Sequence, residues 1–233
     1  MDHKIMQLQR LLNESNHTVV VTGAGVSMSS GIMDMEHMNV FQTMQTSLEV
    51  LVKARPEHSY KLLEKSFLKG MFEIGPTITH KKLTELETKG KVQGIITTNI
   101  DCLHKISGSN NVAEIQGSYG INRCMKCGKQ YDDVKIWNTG KAPRCQSCNG
   151  VILSHPVYSH VGIYESDYQK ANDWMSRTEL VLIVGSKGIY GTYFNRRKQG
   201  TRLVQINPQS TQFDDVVDLN IVKESDEVFE LLS

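Results

Sequence analysis

Short runs of consecutive apolar residues, each ended by a glycine or a small polar residue, constrain the fold of this chain most strongly. Val19-Val20-Val21 leads into Gly23-Ala24-Gly25, and Leu180-Val181-Leu182-Ile183-Val184 leads into Gly185. A strand that is apolar at every position is buried on both faces, which is the environment of a parallel sheet. Stretches with helical apolar spacing separate these runs. The sequence therefore predicts an α/β fold with a mostly parallel sheet covered on both faces.

The same patterns predict the remaining elements. Further strands are expected at residues 92–98 and 202–206, with a short one within 216–221. Helices are expected at residues 4–14, 42–54, 58–72, 78–89, 165–178 and 225–232.

Charge and hydropathy exclude two classes of partner. The chain has 233 residues and a net charge of +1, which gives no electrostatic footprint for nucleic acid or an acidic membrane surface. No apolar run approaches the roughly 18 residues that a membrane-spanning helix needs. The N-terminus lacks the apolar core of a signal peptide. We therefore expect a cytoplasmic protein that binds neither nucleic acid nor membrane.

Four of the five cysteines form two matched pairs, Cys124-x-x-Cys127 and Cys145-x-x-Cys148, with seventeen residues between the pairs. This spacing is typical of a zinc ribbon, in which each pair directs two thiolates at one ion. A reducing cytoplasm disfavours disulfides between them. Four thiolates leave no open coordination position, so we expect a structural zinc that holds a small insert together at residues 119–153.

Residues that follow the strands are candidate binding residues, because ligands of parallel sheets bind beyond the carboxyl ends of the strands. Gly23 and Gly25 would let backbone N–H groups approach a diphosphate without interference from a side chain. The third glycine of a dehydrogenase fingerprint would fall at position 28, which is Met28. The turn therefore disfavours a hydride-transfer enzyme.

The order of these motifs resembles that of the sirtuins, which are NAD-dependent protein deacylases. Residues 23–32 are similar to the opening nucleotide-binding signature of that family. Residues 97–104, with the sequence Thr-Thr-Asn-Ile-Asp-Cys-Leu-His, are similar to its second motif, and the two cysteine pairs follow in the expected place. Gly185-Ser186 and Ile206-Asn207 are similar to later NAD-binding segments. The resemblance extends from about residue 5 to residue 232.

This resemblance implies a domain organisation and a set of ligands. A Rossmann-type NAD-binding domain would comprise residues 1–118 and 154–233, with the zinc ribbon inserted at 119–153. Helices within residues 40–75 would join the small domain. NAD and a protein or peptide substrate would meet in the cleft between the two domains, and the oligomeric state stays open.

The resemblance also implies residue roles. Asn99 and Asp101 would hold the nicotinamide ribose and carboxamide region, and with Gln116 they form the expected catalytic set. The expected cofactor-binding residues are Gly23, Ala24, Gly25, Ser27, Ile32, Asp34, Thr98, Asn99, Asp101, Gly185, Ser186 and Asn207.

The departures from the sirtuin pattern affect residues of the chemical step more than residues that bind the nucleotide. The histidine that acts as general base in sirtuins is replaced by Gln116, whose amide accepts no proton at neutral pH. Losing a positioned base typically costs about 10² to 10⁴ in rate. The Pro-Asp-Phe-Arg loop of the family reads Met33-Asp34-Met35-Glu36, and the substrate-clamping segment is barely recognisable in residues 157–163. His160, in that segment, is a candidate replacement base.

Two functions follow from this pattern of matches and departures. The first is a divergent sirtuin that binds NAD, cleaves the nicotinamide–ribose bond and transfers ADP-ribose to a protein acyl-lysine or to another protein side chain, with weak canonical deacetylase activity. Sirtuin-like proteins whose catalytic histidine is replaced include protein ADP-ribosyltransferases, which keeps both acceptors open. The alternative is a catalytically silent module that binds NAD or ADP-ribose, or serves as a scaffold.

Overall fold

The computed structural model describes residues 2–32, 40–158, 162–189 and 191–232, and of residues 40–43 and 66 the backbone alone. Asp34, predicted to bind the cofactor, and His160, the candidate replacement base, lie outside the described residues.

The described residues contain strands in two separate sheets. The strands are β1 (Thr18–Thr22), β2 (Gly94–Thr97), β3 (Val112–Glu114), β4 (Asn122–Cys124), β5 (Gln130–Tyr131), β6 (Ile152–Ser154), β7 (Leu180–Val184), β8 (Arg202–Ile206) and β9 (Leu219–Ile221). The α-helices are α1 (His3–Glu14), α2 (Val40–Ser47), α3 (Glu49–Ala54), α4 (Pro56–Leu63), α5 (Ile78–Thr88), α6 (Leu103–Ile106), α7 (His155–Tyr158), α8 (Glu165–Arg177) and α9 (Ser225–Glu230).

The larger sheet is parallel throughout and confirms the predicted fold class. Its strand order is β3-β2-β1-β7-β8-β9, so the first strand of the chain lies in the middle. Val20 is paired with Ile95 on one side and Leu182 on the other. From β1 the chain adds β2 and β3 on one side of the sheet, and it then adds β7, β8 and β9 on the other side. The strand order therefore changes direction between β1 and β7, and ligands of open α/β sheets bind at such a switch point.

Both faces of this sheet are buried, which explains why the central strands are apolar at every position. Successive side chains of a strand point to opposite faces. Val20 and Leu182 therefore pack with helices α1, α5 and α9 in one cluster. Val19, Val21 and Ile183 pack on the opposite face with Ala171 and Met175 of α8, in a second cluster.

The boundaries of some predicted elements are wrong. The helix expected at residues 42–54 is divided into α2 and α3, and the one expected at 58–72 begins at Pro56 and continues as two π-helical segments, Glu64–Leu68 and Gly70–Ile74. Pro56 favours a helix start at its own position and disfavours helical dihedrals at Arg55, where φ is −136° and ψ is 59°. Strand β2 is also shorter than predicted, and β3, for which the sequence pattern gave no bounds, is three residues long.

The smaller sheet is antiparallel, with the order β5-β4-β6, and it carries the first cysteine of the chain's paired motifs on β4. Hydrogen bonds connect its surroundings to α4. The Tyr60 hydroxyl donates to the Trp137 carbonyl oxygen at 2.9 Å, and the Ala142 N–H donates to the Glu57 carboxylate at 3.0 Å. Helix α4 therefore contacts the segment that follows β5. The domain organisation, including the helices expected to join the small domain, stays a prediction.

Across the described residues, no helix combines the length and the apolar character needed to cross a bilayer. The cytoplasmic location stays a prediction.

Helix α1 provides a test of the packing. Leu8 is fully buried against the sheet, whereas Met6 on the same helix is 48% exposed. We expect Leu8→Ala to lower the free energy of unfolding by about 2 to 5 kcal/mol, because it removes a buried side chain and leaves a cavity. The measurement is urea denaturation followed by circular dichroism. Met6→Ala is the matched control, expected to stay within about 0.5 kcal/mol, and similar losses for both variants would contradict the packing described.

Candidate functional site

The turns that follow β1 and β7 are in backbone contact with each other. The Gly25 N–H donates to the Gly185 carbonyl oxygen at 2.9 Å. A Cβ atom at Gly25 would lie 2.7 Å from Gly185 Cα, and one at Gly23 would lie 2.8 Å from the Gly185 carbonyl oxygen. Packing within the protein therefore requires glycine at both positions, because side chains there would push the two turns apart. This requirement is independent of the predicted approach of a diphosphate.

A cavity of about 320 Å³ opens at this edge of the sheet. It extends along the ends of five neighbouring strands, from Thr98 after β2 to Glu224 and Ser225 after β9. With strands about 4.8 Å apart, four intervals span about 19 Å, which suits an elongated ligand. The cavity thus runs across the switch point between β1 and β7.

Seven of the predicted cofactor residues line this cavity, and they are Gly23, Ala24, Gly25, Thr98, Gly185, Ser186 and Asn207. The other predicted residues within the described chain, which are Ser27, Ile32, Asn99 and Asp101, are buried. Sequence reasoning missed the contributions of Gln209, Glu224 and Ser225. The signal for these was their position in the loops that follow the last two strands of the sheet, three or four residues beyond the strand ends.

Asn207 and Ser186 hold the two turns above β7 and β8 together. The Asn207 side-chain amide donates to the Ser186 carbonyl oxygen at 3.2 Å, and the Gln209 N–H donates to the Asn207 side-chain oxygen at 3.0 Å. Asn207 is only 6% exposed. Its side chain therefore shapes the wall of the cavity by fixing the backbone on either side.

A buried polar network lies beneath the glycine turn. The Ser27 hydroxyl donates to Asp101 Oδ2 at 2.7 Å, and the Asn99 amide nitrogen donates to the Gly23 carbonyl oxygen and to Ser27 Oγ, both at 3.1 Å. Asp101 Oδ1 accepts the Leu103 N–H at 2.9 Å, which starts helix α6. Ser27, Asn99 and Asp101, which the sequence placed in two separate motifs, are thus one connected group.

Burial raises the pKa of Asp101 to about 6, against the lowering effect of the hydrogen bonds from Leu103 and Ser27. Because the folded pKa lies above the usual 3.8, ionising this carboxyl costs stability. Its stabilising contribution is complete below about pH 4 and is lost as the pH rises through about 6. Near pH 7 the site therefore holds a buried negative charge.

The helical turn Ala24–Ser30 is anchored from below by residues outside it. The Thr77 hydroxyl donates to the Val26 carbonyl oxygen at 3.1 Å, and the Ser29 hydroxyl donates to the Asp226 carboxylate at 2.6 Å. His80 lies 2.8 Å from Thr77 Oγ1, and burial lowers its pKa to about 4, so its ring is neutral near pH 7. These contacts connect the glycine turn to α5 and α9.

Gln116 follows β3 and is half-buried. The next residue, Gly117, has φ of +71°, and a Cβ atom there would lie 2.3 Å from the His155 ring. Glycine is therefore required at position 117. Within the described part of the chain, the side chain of Gln116 forms no hydrogen bond that would orient it.

The four paired cysteines converge on one point. Their sulfur atoms all lie within 4.8 Å of one another, with Cys124 Sγ 3.5 Å from Cys148 Sγ and Cys127 Sγ 3.6 Å from Cys145 Sγ. A tetrahedral zinc with bonds of about 2.3 Å separates its sulfur ligands by about 3.8 Å, whereas a disulfide needs about 2.05 Å. The donor set and its spacing fit a structural zinc ion.

Comparisons with known proteins agree with this geometry. A family model described as the Sir2 family matches residues 23–189. The chain is 32% identical to an NAD-dependent protein deacetylase of Clostridium perfringens, over 95% of each chain. A solved structure from work on the structural basis of sirtuin substrate affinity has a TM-score of 0.82 and 30% identity to this chain. The match covers 99% of this chain and 97% of that one. A Sir2 structure with a p53 peptide and NAD+ has a TM-score of 0.77 at 30% identity, covering 99% and 96%.

The cysteine site predicts one zinc ion per chain. We expect Cys145→Ser to lose the metal, because removing one of four thiolates opens the tetrahedron. Metal analysis of the purified protein and thiol titration with and without a chelator measure this. Cys102→Ala is the matched control: Cys102 is a buried thiol that does not belong to the cluster, so its loss should leave the zinc content unchanged. Wild-type protein without zinc would contradict the assignment.

Proposed function

The chain belongs to the Sir2 family, the sirtuins, and we propose that it binds NAD in the cavity and cleaves the bond between nicotinamide and ribose. The observation that carries this proposal is the buried group of Ser27, Asn99 and Asp101 directly beneath the glycine turn. The name of the Clostridium perfringens relative, an NAD-dependent protein deacetylase, supports the same class of reaction.

The orientation of the nucleotide follows from the position of the glycine turn. Diphosphates bind at such turns, where backbone N–H groups approach closely at the switch point of the sheet. The nicotinamide end would then lie toward β2, beside Asn99 and Asp101. The adenosine end would lie toward β8 and β9, over Asn207.

Asp101 is the residue that we assign to stabilising charge in the reaction. When bound, NAD supplies a glycosidic bond whose cleavage leaves positive charge on the ribose. A buried carboxylate that is ionised near pH 7 stabilises such charge more strongly than an exposed one, because water does not screen it. Ser27 fixes the carboxylate with its hydrogen bond of 2.7 Å, and Asn99 fixes Ser27.

In this proposal the acceptor of ADP-ribose is a protein. The residue at position 116, Gln116, sets the rate of deacylation when the acceptor is an acyl-lysine. Deacylation by sirtuins uses a base at this position to activate the ribose hydroxyl, and an amide does not replace it. We therefore propose weak canonical deacetylation, with transfer to an acyl-lysine or to another protein side chain. The peptide in the related Sir2 structure supports a peptide or protein partner.

The second candidate function is binding of NAD or ADP-ribose without turnover. Gln116 is the feature that favours it over catalysis. The cavity and the buried polar group would serve it equally well. Nicotinamide release separates the two functions, and a thermal shift detects the second: a ligand at 100 times its Kd should stabilise the fold by about 2.7 kcal/mol.

The charge on Asp101 predicts a pH dependence. We expect nicotinamide release from NAD, with mixed acyl-lysine peptides present, to rise as the pH passes through about 6 and to level off above it, because Asp101 must ionise. Asp101→Asn should lower the rate by about 10² to 10³ and remove this pH step. Asp132→Asn, an exposed aspartate on the ribbon, is the control. No release from folded, zinc-loaded wild-type protein would instead support the binding module.

Restoring a base at position 116 tests the second half of the proposal. We expect Gln116→His to raise the deacetylation of acetyl-lysine peptides by about 10² to 10⁴, because an imidazole supplies the missing general base. Product formation from a labelled acetyl-lysine peptide measures this. Deacetylation by the wild type at the rate of the variant would contradict the role that we assign to Gln116.

A further inference from the structure

Two charged side chains line the cavity, and they stand at different strands. Lys187 follows β7, next to the glycine turn, and Glu224 follows β9, two strands farther toward the edge of the sheet. With strands about 4.8 Å apart, β7 and β9 are separated by about 10 Å. Lys187 thus belongs to the glycine-turn side of the cavity lining, and Glu224 to the side of the edge strand.

Glu224 is adjacent to the expected place of the adenosine ribose. In the orientation proposed above, that ribose lies over Asn207, which follows β8, and β9 is the next strand. Glu224 is exposed to the cavity, so its carboxylate is available to a bound molecule. A carboxylate at this end accepts hydrogen bonds from ribose hydroxyls and repels a phosphate.

The residues around Glu224 hold its backbone in place, and among the residues that the structure describes no cation forms an ion pair with its carboxylate. Ser225 Oγ lies 2.9 Å from Thr79 Oγ1, and the Asp226 carboxylate accepts the Thr79 N–H at 2.8 Å, so both side chains point into the protein and fix the start of α9. Lys223, the neighbouring cation, has its Nζ 3.5 Å from Asp2 Oδ2. Burial raises the pKa of Asp226, but hydrogen bonds from Ser29 and Thr79 outweigh this and lower it, which adds a second negative charge nearby.

We propose that Glu224 is a specificity-determining residue, which selects a dinucleotide with a free 2′-hydroxyl on its adenosine ribose and rejects one with a 2′-phosphate. The chain would thus discriminate NAD from NADP by charge at the end of the cavity remote from the reaction. This inference rests on the proposed binding of NAD and on its orientation. A phosphate of about −1.5 to −2 charge beside one carboxylate, and near a second, is disfavoured by Coulomb repulsion at any intermediate dielectric.

The test compares NAD and NADP binding by isothermal titration calorimetry. We expect wild-type protein to bind NAD at least about tenfold more tightly than NADP, and Glu224→Gln to reduce that ratio severalfold by strengthening NADP binding. Added salt should reduce the ratio for the wild type, because it screens the repulsion, and should change the ratio less in the variant. Glu227→Gln is the matched control: it removes the same charge from the exposed part of α9, outside the cavity lining.

The outcomes separate the two proposals. Tight NAD binding with an unchanged NAD-to-NADP ratio in Glu224→Gln, or an equal change in Glu227→Gln, overturns the role of Glu224 and leaves the proposed function intact. Wild-type protein that binds neither nucleotide overturns the proposed function, and the inference with it. Glu224→Asp should keep most of the discrimination, since it keeps the charge, and a loss as large as that of Glu224→Gln would contradict a charge-based selection.

Discussion

The close passage of two backbone turns, after β1 and after β7, is the constraint on which the site depends. Gly23, Gly25 and Gly185 lie so near one another that a single Cβ atom would come within 2.9 Å of the opposing turn. This contact closes the floor of the cavity at the point where the strand order reverses. Because the contact is between backbone atoms, it does not depend on the side chains that line the rest of the cavity. Substitutions of those side chains leave the shape of the floor unchanged.

Around this floor, the protein places negative charge at both ends and a cation near the middle. Asp101 is buried at the end toward β2, and Glu224 is exposed at the end toward β9, while Lys187 stands beside the glycine turn. A diphosphate is favoured in the middle and positive charge is favoured at the β2 end. This distribution of charge is the basis of the proposed dinucleotide site, in which the reaction would take place at the end near Asp101.

The region of the four cysteines is stabilised less by apolar packing than the rest of the chain is. The large sheet is buried on both faces by apolar clusters, whereas the small sheet has three short strands and a correspondingly small apolar cluster. A structural metal compensates for a small core by linking segments that would otherwise gain little from folding. Hydrogen bonds from Tyr60 and to Glu57 then tie this region to α4.

Local residue patterns determined the α/β class, the central strands and the cysteine cluster, because continuous apolar runs and ligand spacing involve only a few neighbouring residues. They predicted seven of the residues that line the cavity for the same reason: each directly follows a strand. Only the tertiary structure decided that Ser27 and Asp101, 74 positions apart, share a hydrogen bond, and that Glu224 joins the cavity. It also decided where the helices between residues 40 and 74 divide. These features depend on which strands become neighbours, and that order follows from packing both faces of the sheet at once.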